Sequence, residues 1–348
     1  MSRIRTLAVV ALAATLAATA CSSKASHTTT QQHVGATTGD KISIMVGGLN
    51  KQIYLPYMLA ERLGYYKAAG LDVSLSDEPA GSDATTAMLA GQVDGVGGFY
   101  DHTIALQAVG KSAESVVSML QVPGEVELCR NDLKSKIHSA ADWKGLSLGI
   151  TDTGSSTDFL TQYLAQKNGV DPASTHRIGV QAGPTFIAAM QHKNIACGMT
   201  TEPTVSTLMA TGSVYTLYDT RTAAGAQAAF GGEYPATSLY LTTSYVNSHH
   251  ATVQKLVSAY VKTLKWIQSH TGAEIAAQMP ADYYAGSGLA AYVKALNSEK
   301  GIYNPTGLMP PTGPQTCLRV QQAFNPAVKG KTIDLPKTFT NQFVQAAS

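Results

Sequence analysis

"GITDTGSSTDFL", Gly149–Leu160, reads as the end of a strand turning into a helix. A short apolar run gives way to Thr, Asp, Gly and Ser, after which Phe159, Leu160, Tyr163 and Leu164 recur near helical spacing. A second stretch, "AGSDATTAM" (Ala80–Met88), is built the same way. In both, Gly-Ser stands at a helix N-terminus, where free backbone N–H groups and the helix dipole favour an anion. Glycine lets the backbone approach a ligand closely. Ser82, Ser155 and Ser156 also suit plain helix capping. Capping, however, needs neither the preceding glycine nor the pairing of two such turns.

Working outward, strand and helix alternate with short connections, which predicts a parallel α/β architecture. "KISIMVGG" opens the folded part as a strand, "YLPYMLAERLGYYKAAG" follows as a helix, and "VDGVGGF" and "ESVVSMLQ" are short buried strands. From about Glu127 the plan repeats: "LSLGIT", "HRIGVQA" and "IACGMT" are strands with helices between them. "TAMLAGQVDGVG" (Thr86–Gly97) and "AAMQHKNIACGM" (Ala188–Met199) echo one another, as two α/β lobes on one plan would. "EYPATSLYLTTSYV" is expected to be a strand. "TVQKLVSAYVKTLKWIQSH" is the clearest helix, with Val253, Leu256, Val257, Tyr260, Val261, Leu264 and Ile267 on one stripe. "PKTFTNQFVQAA" is expected to close the chain as a short helix docked on the first lobe.

The chain has 348 residues, 44% hydrophobic and 14% charged, enough for two lobes with a sizeable core. Arg3 and Arg5 precede an apolar run and "LAATAC", the pattern of a secretion signal rather than a membrane span. Residues 1–20 are therefore expected to be a signal peptide, and the Ser/Thr/Gln-rich residues 21–40 a flexible tether. The signal holds two of the 25 basic residues, so its removal leaves them equal in number to the 23 acidic ones. That balance gives no electrostatic footprint for nucleic acid. Cys129, Cys197 and Cys317 follow Cys21; in an exported chain one pair can form a disulfide and leave one thiol over. No Cys/His spacing suggests a metal, and no cofactor is expected.

Enzyme motifs fail on context. "GLSLG" (Gly145–Gly149) matches the GxSxG pattern, but Ser147 falls inside the strand rather than on a sharp turn. "GSGLAA" (Gly286–Ala291) lacks the preceding strand of a dinucleotide fingerprint, and "TDTGSSTD" lacks the Lys of a Walker A loop. His102 beside Asp101 reads as part of a polar loop lining a cleft, His249 and His250 as solvated, and Trp143 and Trp266 as packing residues. Ligands of parallel α/β sheets bind outside the carboxyl ends of the strands. Those ends carry the loops "GGLNKQIY", "PAGSDATT", "GGFYDHT", "TDTGSSTD" and "TTEPT".

"LPYMLAERLGYYKAAGLDVSL", "GSDATTAMLAGQVDGV" and "DWKGLSLGITDTGSSTDFLTQYLAQKNGVD" resemble substrate-binding proteins of ABC importers, in the group serving nitrate, sulfonate, taurine and thiamine-pyrimidine uptake. The resemblance runs from about Lys41 to the C-terminus. In the same way "LAATAC" resembles a bacterial lipobox, with Ala18 where Leu is commoner; it implies lipidation, palmitate included, of Cys21 and a lipid anchor on the outer face of the cell membrane.

The resemblance implies a two-lobe α/β fold of the periplasmic-binding-protein type (type II), with parallel-sheet lobes joined by two crossings. Lobe one is expected at residues 41–126 plus 235–348 and lobe two at 127–234. Carried over by position, Asn50, Gly81, Ser82, Tyr100 and Asp101 line the first lobe's wall. Gly154, Ser155, Ser156, Thr201 and Glu202 line the second's, with Tyr234 and Pro235 at the return crossing. The chain departs from the family at Ala196, where an acid is common, and its loops do not show the Trp, Lys and His set expected for nitrate. Asp101 and Glu202 would meet a ligand amine while the Gly-Ser turns meet its anionic end, which points to a small zwitterionic, polar or anionic organic solute such as a taurine-like sulfonate. The partners implied are that solute and the permease and ATPase subunits of an importer, with the protein a monomer that performs no catalysis. The competing readings are a thiamine-pyrimidine-precursor binding protein, a pyrimidine-synthesising enzyme of the same fold, and a sensory or adhesion module.

Overall fold

The computed structural model describes residues 39–347. Cys21, the expected signal and the tether up to residue 38 lie outside the described residues. Sheet one has the order β2-β1-β3-β10-β4, built from β1 (Asp40–Val46), β2 (Leu71–Asp77), β3 (Gly95–Phe99), β4 (Ala113–Ser118) and β10 (Thr237–Thr242). Sheet two has the order β7-β6-β8-β5-β9, from β5 (Glu125–Arg130), β6 (Ser147–Ile150), β7 (His176–Gly179), β8 (Cys197–Thr201) and β9 (Val214–Asp219). In each sheet the strand that has just crossed from the other lobe runs antiparallel to its neighbours: β10 between β3 and β4, and β5 between β8 and β9. The remaining pairings are parallel. The two sheets therefore share one plan, as the echoed sequence segments predict.

β1 starts at Asp40, one residue before the expected domain start. The Asp40 amide donates to Gly70 O at 3.0 Å and its carboxylate pairs with Lys255 at 2.8 Å, which draws it into the sheet edge. "EYPATSLYLTTSYV" is a strand only as far as Thr242. Thr242 Oγ1 accepts the Tyr245 amide at 3.3 Å and starts the helix Thr243–Ser248. Such a cap competes successfully with strand extension. The long helix spans His250–Ser269, and the seven residues of its apolar stripe are each 2% exposed or less. Burial of each contributes about 1.5–3 kcal/mol. His249 and His250 at its start are exposed, and Trp143 is fully buried, edge-on to Tyr218.

The C-terminal part ties the lobes together. The helix Gly313–Phe324 packs against both the lobe-one helix Asp101–Ala108 and the lobe-two helix Ser156–Lys167. The terminal helix Gln342–Ala346 buries Phe343 and Val344 against lobe one, and Gln254 Nε2 donates to Phe343 O at 2.9 Å. Of the cysteine pairings left open by the sequence, the structure forms Cys129–Cys197, which are register partners on β5 and β8, and leaves Cys317 buried and free. Among the described residues no helix is long and apolar enough to cross a membrane.

Candidate functional site

The carboxyl ends of β1, β3 and β6 point at one small polar cavity of about 20 Å³ between the two sheets. That volume suits roughly one water molecule. Lys51 follows β1, Gly81 opens the helix after β2, and His102 lies in the first turn of the helix after β3. Ser155 caps and Ser156 and Thr157 open the helix after β6, and Glu125 begins β5 at the first crossing. A Cβ on Gly81 would lie 3.0 Å from His102 Nε2, so this position has little room for any side chain.

Lys51 and Glu125 give the cavity its electrostatic character. The Lys51 side chain is 9% exposed, and its ammonium donates to Gly47 O at 2.7 Å and Pro79 O at 2.9 Å. Burial pushes its pKa down, with the Glu125 charge holding it back. Glu125 is 3% exposed and its Oε2 has no partner; burial pushes its carboxyl up, and the Lys51 charge opposes that. No ion pair joins them, so each charge is stabilised only in part. A buried charge without a full partner is costly, and a solute carrying both signs meets both needs.

Asp101 and Ser156 fasten the cavity's far wall. The Ser156 hydroxyl donates to Asp101 Oδ1 at 2.8 Å and lies 3.3 Å from His102 Nε2. Its single proton goes to the carboxylate, so toward the imidazole it accepts, and His102 carries its proton on Nε2. Burial pushes the His102 pKa down, against the Asp101 charge, which keeps the ring neutral near neutral pH. Tyr234 donates from its hydroxyl to Asp101 Oδ2 at 2.8 Å. Asp101 and His102 belong to a helix rather than the expected loop. The anion at the Ser156 helix N-terminus is thus lobe one's own carboxylate.

The expected residues separate accordingly. Gly81, Ser155 and Ser156 line the cavity. Ser155 caps its helix, accepting the Asp158 amide at 3.4 Å and the Asp152 amide at 3.3 Å. Gly154, at φ +77, makes the turn and donates its amide to Asp158 Oδ2 at 2.9 Å. The Ser82 hydroxyl is buried without a partner and does not line the cavity. Tyr100 turns into lobe one, bonded to Thr338 and edge-on to Phe339. Thr201 Oγ1 donates to Gly124 O at 3.0 Å, across the first crossing.

The role expected of the two acids is corrected by their partners. Glu202 is held by Arg221 at 2.9 Å and accepts from the Ser206 amide and hydroxyl, each at 2.9 Å, so neither it nor Asp101 is open to a ligand amine. Its carbonyl accepts the Gln52 amide at 3.1 Å and links the lobes. Glu125 is the acid that reaches the cavity. Of the Trp, Lys and His set expected for nitrate, Lys51 and His102 line the cavity and no tryptophan does. Lys51 was visible in "GGLNKQIY", one position after Asn50. Glu125 was visible as the charged start of an alternating strand directly after Pro123-Gly124. Asn50 instead lines a larger, more apolar cavity of about 470 Å³ at the mouth of the same cleft.

Residues 38–281 match the NMT1-like family. A solved protein of Bordetella bronchiseptica RB50 is 33% identical, with a TM-score of 0.84, covering 89% of this chain and 97% of that one. The alkanesulfonate-binding protein SsuA of Xanthomonas axonopodis pv. citri, solved bound to MOPS, is 16% identical with a TM-score of 0.66, covering 86% of this chain and 98% of that one; it shares the fold. A 4-amino-5-hydroxymethyl-2-methylpyrimidine phosphate synthase of Saccharomyces cerevisiae is 33% identical over 84 residues, 24% of this chain. The match spans a quarter (25%) of that enzyme's length.

Proposed function

The chain belongs to the NMT1-like family and has the periplasmic-binding-protein fold, and from that premise we propose that it is the extracytoplasmic solute-binding lipoprotein of an ABC importer. It captures a small zwitterionic organic solute, such as a taurine-like sulfonate, between its lobes and delivers it to the permease and ATPase subunits. It acts as a monomer, performs no catalysis, and is anchored to the outer face of the cell membrane through Cys21. The lobe limits at residues 41–126 plus 235–348 and 127–234 belong to this reading.

One observation carries it: Lys51 and Glu125, of opposite charge and both buried, line one polar cavity without pairing. A bare anion such as nitrate would satisfy Lys51 and leave Glu125 with an added like charge. The cavity is smaller than any such solute, so entry requires the lobes to part by a hinge motion.

The partial match to the yeast pyrimidine phosphate synthase supports a second reading, a thiamine-pyrimidine precursor in the same cavity. A thermal-shift screen of the full chain against taurine, alkanesulfonates, nitrate and aminopyrimidines separates the two. Ligand at 100 times its Kd adds about 2.7 kcal/mol of stability. A shift with taurine or alkanesulfonates supports the leading reading, and a shift with aminopyrimidines alone transfers the assignment to the second.

A further inference from the structure

Glu125 stands at the first crossing, in a cavity walled from both sheets: Tyr54 and His102 follow strands of sheet one, and Thr151 and Ser156 follow β6 of sheet two. Closing the lobes over this cavity therefore takes its carboxylate out of water. We propose that Glu125 is a gate on closure, its negative charge keeping the lobes apart until a solute's ammonium group accompanies it into the cavity. The inference rests on the reading of the cavity as the site of a zwitterion, and adds to it the group that makes closure depend on the solute.

The two buried charges differ in what the protein itself provides. Lys51 donates to Gly47 O at 2.7 Å and Pro79 O at 2.9 Å, both in loops that follow sheet-one strands, so these bonds form within one lobe whatever the other does. Glu125 has no such support: it is 3% exposed and its Oε2 is buried without a partner. Lys51 attracts the carboxylate, whereas Glu127, two positions along β5, and Glu299 from the C-terminal segment repel it whenever they ionise. Tyr54 and His102, the remaining titratable groups on the cavity wall, supply no charge while neutral. At about 20 Å³ the cavity has room for roughly one water molecule, so solvent does not replace the lost hydration. Closing on the bare carboxylate thus leaves a buried charge under-compensated, which is strongly unfavourable. An ammonium group carried in by the solute removes that penalty, and a solute shifts closure only by such a difference in affinity for the two forms.

Small-angle scattering of the full chain at about pH 7.5 tests the gate. The wild type is expected to be open without solute and to compact when taurine is added. Glu125→Gln, which removes the charge and keeps the shape, is expected to be compact before any solute is added, its closed-to-open ratio raised at least about 100-fold. Glu125→Asp, which keeps the charge, is expected to stay open like the wild type. Glu125→Gln no more compact than the solute-free wild type, or closure of Glu125→Asp as well, overturns the gate and leaves the zwitterion reading to stand on taurine affinity. Compaction of Glu125→Gln beside a wild type that taurine leaves open supports the charge gate and overturns the zwitterion reading.

Discussion

Ser156 Oγ donates to Asp101 Oδ1 at 2.8 Å, joining the turn after β6 in lobe two to the first residue of a lobe-one helix. The bond is fully buried and charge-assisted, and Tyr234 at the return crossing completes the carboxylate's shell. One triangle thus fixes lobe one, lobe two and the segment connecting them.

That triangle predicts energetic coupling. Ser156→Ala and Asp101→Asn are each expected to destabilise the full chain, and a double-mutant cycle by urea unfolding is expected to give a coupling of about 0.5–3 kcal/mol. Additive effects would show that the bond contributes nothing to the closed arrangement.

Buried acids set the pH dependence of stability. Glu127 and Glu299 have both carboxylate oxygens unpartnered, and burial, the largest cause, raises each well above the ordinary carboxylate value. Between the unfolded value of about 4.5 and the higher folded one, the native state binds more protons than the unfolded chain. Stability from these groups is therefore full below that range and falls as pH rises through the folded values. Urea unfolding at about pH 5 and about pH 8 is expected to show a smaller loss for Glu127→Gln than for the wild type. An equal loss in both would remove Glu127 from the account.

The Cys129–Cys197 disulfide closes 68 residues of sequence, including β6 and the cavity turn. The loop-entropy relation gives about 4 kcal/mol for a loop of this length. The Cys129→Ser, Cys197→Ser double variant is expected to lose stability on that order in urea, while Cys317→Ser, at a buried and unpaired site, is expected to lose far less.

Much of this was legible in the sequence, and the residues show why. The Gly149–Leu160 stretch specifies strand, turn and helix because glycine, capping serine and apolar spacing all agree. Its twin at Ala80–Met88 gave the cleft two walls. What the sequence did not reveal was which polar groups satisfy one another. Asp101 and Glu202 looked available, but Tyr234 lies 133 residues from the first and Arg221 lies 19 from the second. Such pairings depend on which strand ends the fold brings together, within a sheet for Glu202 and Arg221 and between lobes for Asp101, and periodicity carries no information about that. Lys51 and Glu125 escape notice for the converse reason: a charge in a strand-end loop or at the first residue of a strand reads as solvated until burial is known.

If Lys51 and Glu125 together read a zwitterion, calorimetry of the full chain with taurine and nitrate, beside Lys51→Met, will register it. The wild type is expected to bind taurine in preference to nitrate, and Lys51→Met to lose about 2–5 kcal/mol of that affinity, at least about 30-fold in Kd. Binding of nitrate but not taurine, or taurine affinity unchanged in Lys51→Met, would contradict the account.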